Sequence, residues 1–233
     1  MYYSADNEKL LKWYQVEMMQ FVQYAPQRNG IDVLPIKVGL MSQADADYWH
    51  KYVQPDIRNL AASGAPDAQW NWSSMRRWLP LVELLRSRRA PAFTVWAEGS
   101  NNRAVPISMI LLSEGYSALD DDSKQCVYIW FMGAAPEATM RQRFGMQIIP
   151  KLGRVLIDIA VTQSHNLGYG GRIGLHAAPA GGQKLVDMYR NFGLNLLPSS
   201  ARLPAYIRSN DGRYFYLNEL QAGKWSNSLN SYR

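Results

Sequence analysis

The sequence predicts a mixed α/β domain of the α+β type: a largely antiparallel sheet flanked by helices, with an N-terminal helical extension. Three observations predict it. Two strand-like runs, Ala92–Ala97 and Val105–Ser113, are joined by the short turn Gly99-Ser100-Asn101-Asn102, as in a hairpin. From Cys126 onward, strand-like and helix-like segments alternate. The first thirty residues carry an apolar helical stripe and then stop at Pro26 and Asn29-Gly30. The domain boundaries that follow are 1–30 for the extension and 31–233 for the main domain.

Taken in order, Asn7–Tyr24 has helical spacing through Leu10, Leu11, Tyr14, Met18, Phe21 and Val22. Val33–Met41 reads as a short strand that Pro35 restricts to a sheet edge. Ser42 is placed to cap a helix running through Trp49 and Val53, which Pro55 breaks or restarts. After a turn at Ser63-Gly64-Ala65-Pro66, a helix starts at Ser73 or Ser74 and carries Trp78, Leu81, Val82, Leu84 and Leu85. The two hairpin strands come next, then a loop at Asp120–Ser123. Cys126–Met132 is apolar on both faces, as a central strand should be. Thr139–Gly153 reads as irregular. Arg154–Asn166 is a helix stopped by Gly168, Arg172–Ala177 a strand, and Gln183–Phe192 a helix closed by Gly193. Tyr206–Ile207 and Tyr214–Leu217 read as a closing strand pair around Asn210-Asp211-Gly212.

Composition sets outer bounds. In 233 residues, 25 Lys and Arg outweigh 19 Asp and Glu, for a net charge of +6. That balance suits an enzyme for an anionic, phosphate-bearing cofactor or a nucleic-acid binder; no recognisable nucleic-acid motif supports the second, and nucleic acid is not expected as a partner. The single cysteine, Cys126, excludes an internal disulfide and any cysteine-built metal site, so no metal is expected. No apolar leader core and no run of the ~20 apolar residues needed to span a bilayer is found, so the expected location is cytoplasmic, away from membranes.

The stretch Gly153 to Leu194 resembles the second half of a GNAT-type N-acetyltransferase. Its helix Arg154–Asn166 resembles the helix that follows the family's pyrophosphate loop. Gly168-Tyr169-Gly170-Gly171-Arg172-Ile173-Gly174-Leu175-His176 resembles the helix end and fifth strand. Lys184–Leu194 resembles the closing motif, in which a helical Tyr precedes a Gly-apolar pair by four residues. Gln69-Trp70-Asn71-Trp72 and the strand ending Gly133-Ala134-Ala135-Pro136 are also similar to members of this superfamily. The pyrophosphate loop is degenerate: Gly153 matches the family's second glycine, but Lys151 occupies the earlier glycine position and Ile148 that of the leading Gln or Arg. A rival register places Gln142-Arg143-Phe144-Gly145 there instead, at the cost of Pro150 in the early helix.

The resemblance implies transfer of an acetyl group from acetyl-CoA to an amine acceptor by direct attack; the alternative is a catalytically degenerate relative that binds acyl-CoA or a protein partner. It implies that Lys151, Leu152, Gly153, Arg154 and Val155 hold the pyrophosphate, at a helix N-terminus whose free N–H groups suit an anion. Gly133, Ala134 and Ala135 would offer backbone N–H groups to the pantetheine arm and the thioester carbonyl. Tyr189 would protonate the departing thiolate. For the base that frees the amine, Glu98, Glu114, Glu137 and His176 stand at roughly suitable positions, with Glu137 at the end of the central strand as the working choice. Trp70, Trp72 and Trp78 could line an acceptor cleft or serve as packing. The acceptor and the oligomeric state are not written in the sequence.

Overall fold

Strand β1 (Ile36–Leu40) lies at one edge of the sheet, where Pro35 predicts it. This computed structural model describes residues 36–60, 64–86, 88–99, 103–146, 152–203 and 209–229. The helix expected over Asn7–Tyr24, and with it the 1–30 extension, falls outside the described residues, as do Tyr206–Ile207, Ile148 and Lys151.

Three helices follow β1 before the chain returns to the sheet. Helix α1 (Gln43–Tyr52) begins with a reciprocal capping box: the Ser42 hydroxyl accepts from the Asp45 N–H, and Asp45 Oδ2 accepts from the Ser42 N–H at 2.9 Å. Pro55, in the first turn of α2 (Gln54–Asn59), restarts the helix as expected. Helix α3 (Trp72–Arg86) starts one residue before the predicted site, because the Asn71 side chain accepts from the Ser74 N–H at 3.0 Å and acts as the cap.

The sheet is then completed. Strands β2 (Ala92–Glu98), β3 (Ala104–Ser117) and β4 (Gln125–Ala134) pair antiparallel in sequence order. Helix α5 (Leu152–Asn166) carries the chain over one face to β5 (Ile173–His176), which runs parallel to β4. After α6 (Gly182–Asn191), β6 (Asn195–Leu196) and β7 (Tyr214–Leu217) close the far edge, giving the order β1-β2-β3-β4-β5-β7-β6. Only β4–β5 is parallel, so the sheet is the mixed, largely antiparallel one expected from the sequence. The main core lies between the sheet and the helices, with Trp49, Trp72, Phe93 and Phe215 fully buried. At ~1.5–3 kcal/mol for each large apolar side chain buried, this layer supplies the dominant favourable term.

Three departures from the sequence reading have physical causes. The stretch expected to be irregular contains α4 (Glu137–Phe144). Met140 and Phe144, one turn apart, are its only buried apolar side chains, and the helix is also tied to α2: Arg143 donates two hydrogen bonds to the Asp56 carboxylate at 2.7 and 2.8 Å, and the Thr139 hydroxyl a third at 2.8 Å. Strand β7 lies between β5 and β6, so its partners among the described residues are Ile173–His176 and Asn195–Leu196. A terminal helix α7 (Glu219–Ser228), capped by Asn218 and Gln221, buries Ala222 and Trp225.

Candidate active site

The site originates in a short ladder. Strands β4 and β5 share only three register pairs, Val127 with Ile173, Tyr128 with Gly174 and Ile129 with Leu175. Strand β4 continues to Ala134 against β3 alone, whereas β5 ends at His176. The strands part there, and a cleft of about 370 Å³ opens between them. Beside the ladder, Ile129 and Leu175 share one face, while Tyr128 and Trp130 pack ring against ring at 4.9 Å on the other; the register of β4 on β3 then shifts at Trp130, as Leu112 pairs with Ile129 and Leu111 with Phe131.

The ladder also decides which backbone groups face the cleft. The Ala135 N–H donates to the Ile107 carbonyl at 2.9 Å and is committed to β3. By the alternation of an antiparallel pair, Gly133 is directed to β3 as well, and Met132 and Ala134 turn their N–H and C=O toward the open edge. Of the three positions expected to donate, Ala134 is the one whose N–H is left for a ligand. Gly133 contributes differently: a Cβ there would sit 3.1 Å from Asp67 Oδ2, so its lack of a side chain lets that carboxylate lie against β4.

Tyr189 is on the inner face of α6 and lines the cleft, 5% exposed, with its ring 5.3 Å from that of Phe215. Burial, reinforced by the Asp67 carboxylate, pushes its phenol well above the ordinary tyrosine range, so it stays protonated at neutral pH. Asp67 itself had no sequence signal beyond an acid in a turn before Trp70. The structure holds its turn from below: buried Gln54 donates to the carbonyls of Asp67 at 2.8 Å and Ala68 at 3.1 Å, and accepts from Trp49 Nε1 at 3.2 Å. Burial raises the Asp67 carboxyl above its usual range.

At the other end of the cleft, α5 begins at Leu152, so Gly153 falls in its first turn. Gly145 is the left-handed cap of α4, with φ 65°. A Cβ on Gly153 would meet the Phe192 ring at 3.2 Å. Leu152 and Val155 are core side chains; what these positions offer a ligand is backbone N–H, since the first four of a helix lack carbonyl partners within it. The Arg154 guanidinium lies over the Trp225 ring at 5.2 Å, and its buried Nε has no partner among the described residues.

The candidate bases separate clearly. Glu137 is exposed on the first turn of α4 and paired with Arg141 at 2.9 Å; it does not line the cleft. Glu114 accepts from Gln163 Nε2 at 2.8 Å, and Glu98 is exposed at the end of β2. His176 lines the cleft, but its Nε2 is 2.9 Å from Asp211 Oδ2 and its ring packs on Tyr214. Of the tryptophans, Trp70 lines the cleft, Trp72 is wholly buried and Trp78 is 61% exposed. Cys126 is buried, and burial pushes its thiol far up, as expected of a core residue.

No protein-family model and no curated protein sequence matches this chain. Solved structures that it is similar to include AtaTR bound with acetyl-CoA (10% identity, 81% of this chain and 96% of that one, TM-score 0.46). A tyrosine-to-phenylalanine mutant of KacT matches at 10% identity over 81% and 98%, with a TM-score of 0.44. Mutant forms of the spermidine/spermine N-acetyltransferase SpeG from Vibrio cholerae match at 13% over 83% and 97%, with a TM-score of 0.40. Among the described residues no group of three or more His, Cys, Asp or Glu could hold a metal ion, and no helix is long and apolar enough to cross a membrane.

Proposed function

We propose that the chain transfers an acetyl group from acetyl-CoA to an amine acceptor by direct attack within one cleft. The observation that carries the reading is the meeting, where β4 and β5 part, of an open backbone edge with a buried, protonated phenol. The features present suit the cosubstrate: a cleft of about 370 Å³, the first turn of α5 at its wall through Gly153, and an Arg154 Nε that has no partner among the described residues. Acetyl-CoA supplies the activated acetyl group when bound.

In this reading, the first-turn N–H groups of α5 and Arg154 hold phosphate oxygens, and Lys151 adds a charge to the same loop. The Ala134 N–H meets the thioester carbonyl oxygen, where a fixed donor stabilises developing negative charge. Tyr189 gives its proton to the departing sulfur. The cleft positions both reactants, which supplies much of the acceleration in a direct-attack mechanism.

Calorimetry with acetyl-CoA tests this first. Binding should release or absorb heat and raise the melting temperature, since a ligand at a hundredfold excess over Kd stabilises the native state by ~2.7 kcal/mol. Millimolar acetyl-CoA producing neither effect would overturn the reading.

A further inference from the structure

Resting on the transfer reading, we propose that Asp67 is the acceptor subsite: its carboxylate receives a primary alkylammonium group and takes the proton that must leave before the nitrogen can attack. The first support is electrostatic. The whole chain carries +6, yet none of the described cleft-lining residues is Lys or Arg, and Asp67 is their sole carboxylate. A cationic acceptor enters such a cleft at a gain, and an anionic one is repelled.

The second support is that the carboxylate is built in place and left without a cation. Gln54 anchors its backbone, and Gly133 lets Oδ2 rest against β4, next to the residue whose N–H opens toward the cleft. Among the described residues no ion pair joins Asp67, and its own backbone N–H is the donor near its carboxyl. The third support is the wall beside it. Trp70 and Phe131 meet edge-to-face with centroids 5.0 Å apart, presenting aromatic surface that attracts an ammonium and its alkyl stem.

The protons balance. The ammonium gives one proton to Asp67, which passes it to solvent as product leaves. The freed nitrogen forms the C–N bond as the C–S bond breaks, and Tyr189 protonates the sulfur. The nitrogen's second proton restores the phenol.

The test uses the full chain at saturating acetyl-CoA, with thiol release measured for two probes: n-butylamine, cationic at neutral pH, and aniline, neutral there. The parent should prefer n-butylamine. Asp67→Asn should lower kcat/KM for n-butylamine by roughly 10²–10⁴-fold, the usual loss of a general base, while changing aniline by less than about tenfold. Acetyl-CoA affinity by calorimetry should stay within about twofold, since Asp67 is given no part in holding it. Gly133→Ala, whose Cβ would meet Asp67 Oδ2 at 3.1 Å and so displaces the carboxylate without removing it, should lower turnover of n-butylamine by a larger factor than that of aniline. An Asn variant as fast as the parent on n-butylamine, an equal loss on both probes, or a parent that prefers aniline overturns the proposal. If the parent binds acetyl-CoA but acetylates neither probe, calorimetry with n-butylammonium decides: Asp67-dependent binding supports the subsite, and its absence overturns it. A parent that does not bind acetyl-CoA overturns the transfer reading itself, and this proposal with it.

Discussion

Gln54 Nε2 donates to the Asp67 carbonyl at 2.8 Å, so a fully buried amide at the start of one short helix sets the position of a carboxylate thirteen residues later. The same side chain accepts from Trp49 Nε1 and donates to Ala68, which ties α1, α2 and the turn into one unit. Gln54→Leu should leave the Trp49 indole and two carbonyls without partners. An unsatisfied buried group costs ~1–3 kcal/mol, so denaturant unfolding should show a loss at the upper end of that range or beyond. Amine acetylation should fall further than the loss of folded protein accounts for, because Asp67 loses its anchor; an unchanged midpoint would show that water replaces the amide.

Tyr189→Phe removes the hydroxyl and keeps the ring against Phe215. Acetyl-CoA affinity should hold, and turnover should drop by roughly 10²–10⁴-fold, as when a general acid is lost. Single-turnover kinetics at saturating acetyl-CoA reads this directly. A Phe variant as fast as the parent would assign the proton to water or another side chain.

The two glycines of the competing registers should separate by assay. Gly153→Val drives a branched side chain into the Phe192 ring, which a Cβ alone would already meet at 3.2 Å, and should weaken acetyl-CoA binding in calorimetry. Gly145→Val forces a β-branched residue to φ 65° at the α4 cap, a strain of ~1–3 kcal/mol that should lower the melting temperature and leave the affinity of folded protein near the parent's. The reverse ranking in calorimetry would favour the Gly145 register.

The Asp56–Arg143 pair gives a pH signature. The Arg143 guanidinium, with help from the Thr139 hydroxyl, holds the Asp56 carboxyl below the usual range. A folded-state pKa below the unfolded one contributes stability that is present above the unfolded value of ~3.9 and is lost as pH falls through the folded value. Asp56→Asn should therefore melt below the parent at neutral pH, and the gap should close as pH falls below about 4. A gap that persists in acid would assign the difference to packing of α4.

Most of the fold was legible because its elements advertise themselves locally. Ser42, Pro55, Gly168 and Gly193 act through neighbours in sequence, so caps and stops could be read directly. Helix α4 was not legible: its eight residues offer one apolar pair, Met140 and Phe144, too short a pattern to count, and the rest of what holds them is Asp56, more than eighty positions away. The short strand β6 failed for a related reason, since two residues carry too little pattern to count without β7 beside them.

The sequence by itself determined the α+β class, the central strand and the helical position of Tyr189. Each of these depends on spacing along the chain, and hydrophobic period and backbone propensity act at short range. The tertiary structure alone decided which carboxylate the cleft contains. Glu137 follows the central strand directly, yet it turns outward to Arg141; Asp67 belongs to an unremarkable turn, yet Gln54 and Gly133 fix it at the open edge of β4. A side chain's place in a cleft follows from where the strands part and what packs behind the loop, and those contacts join residues far apart in sequence.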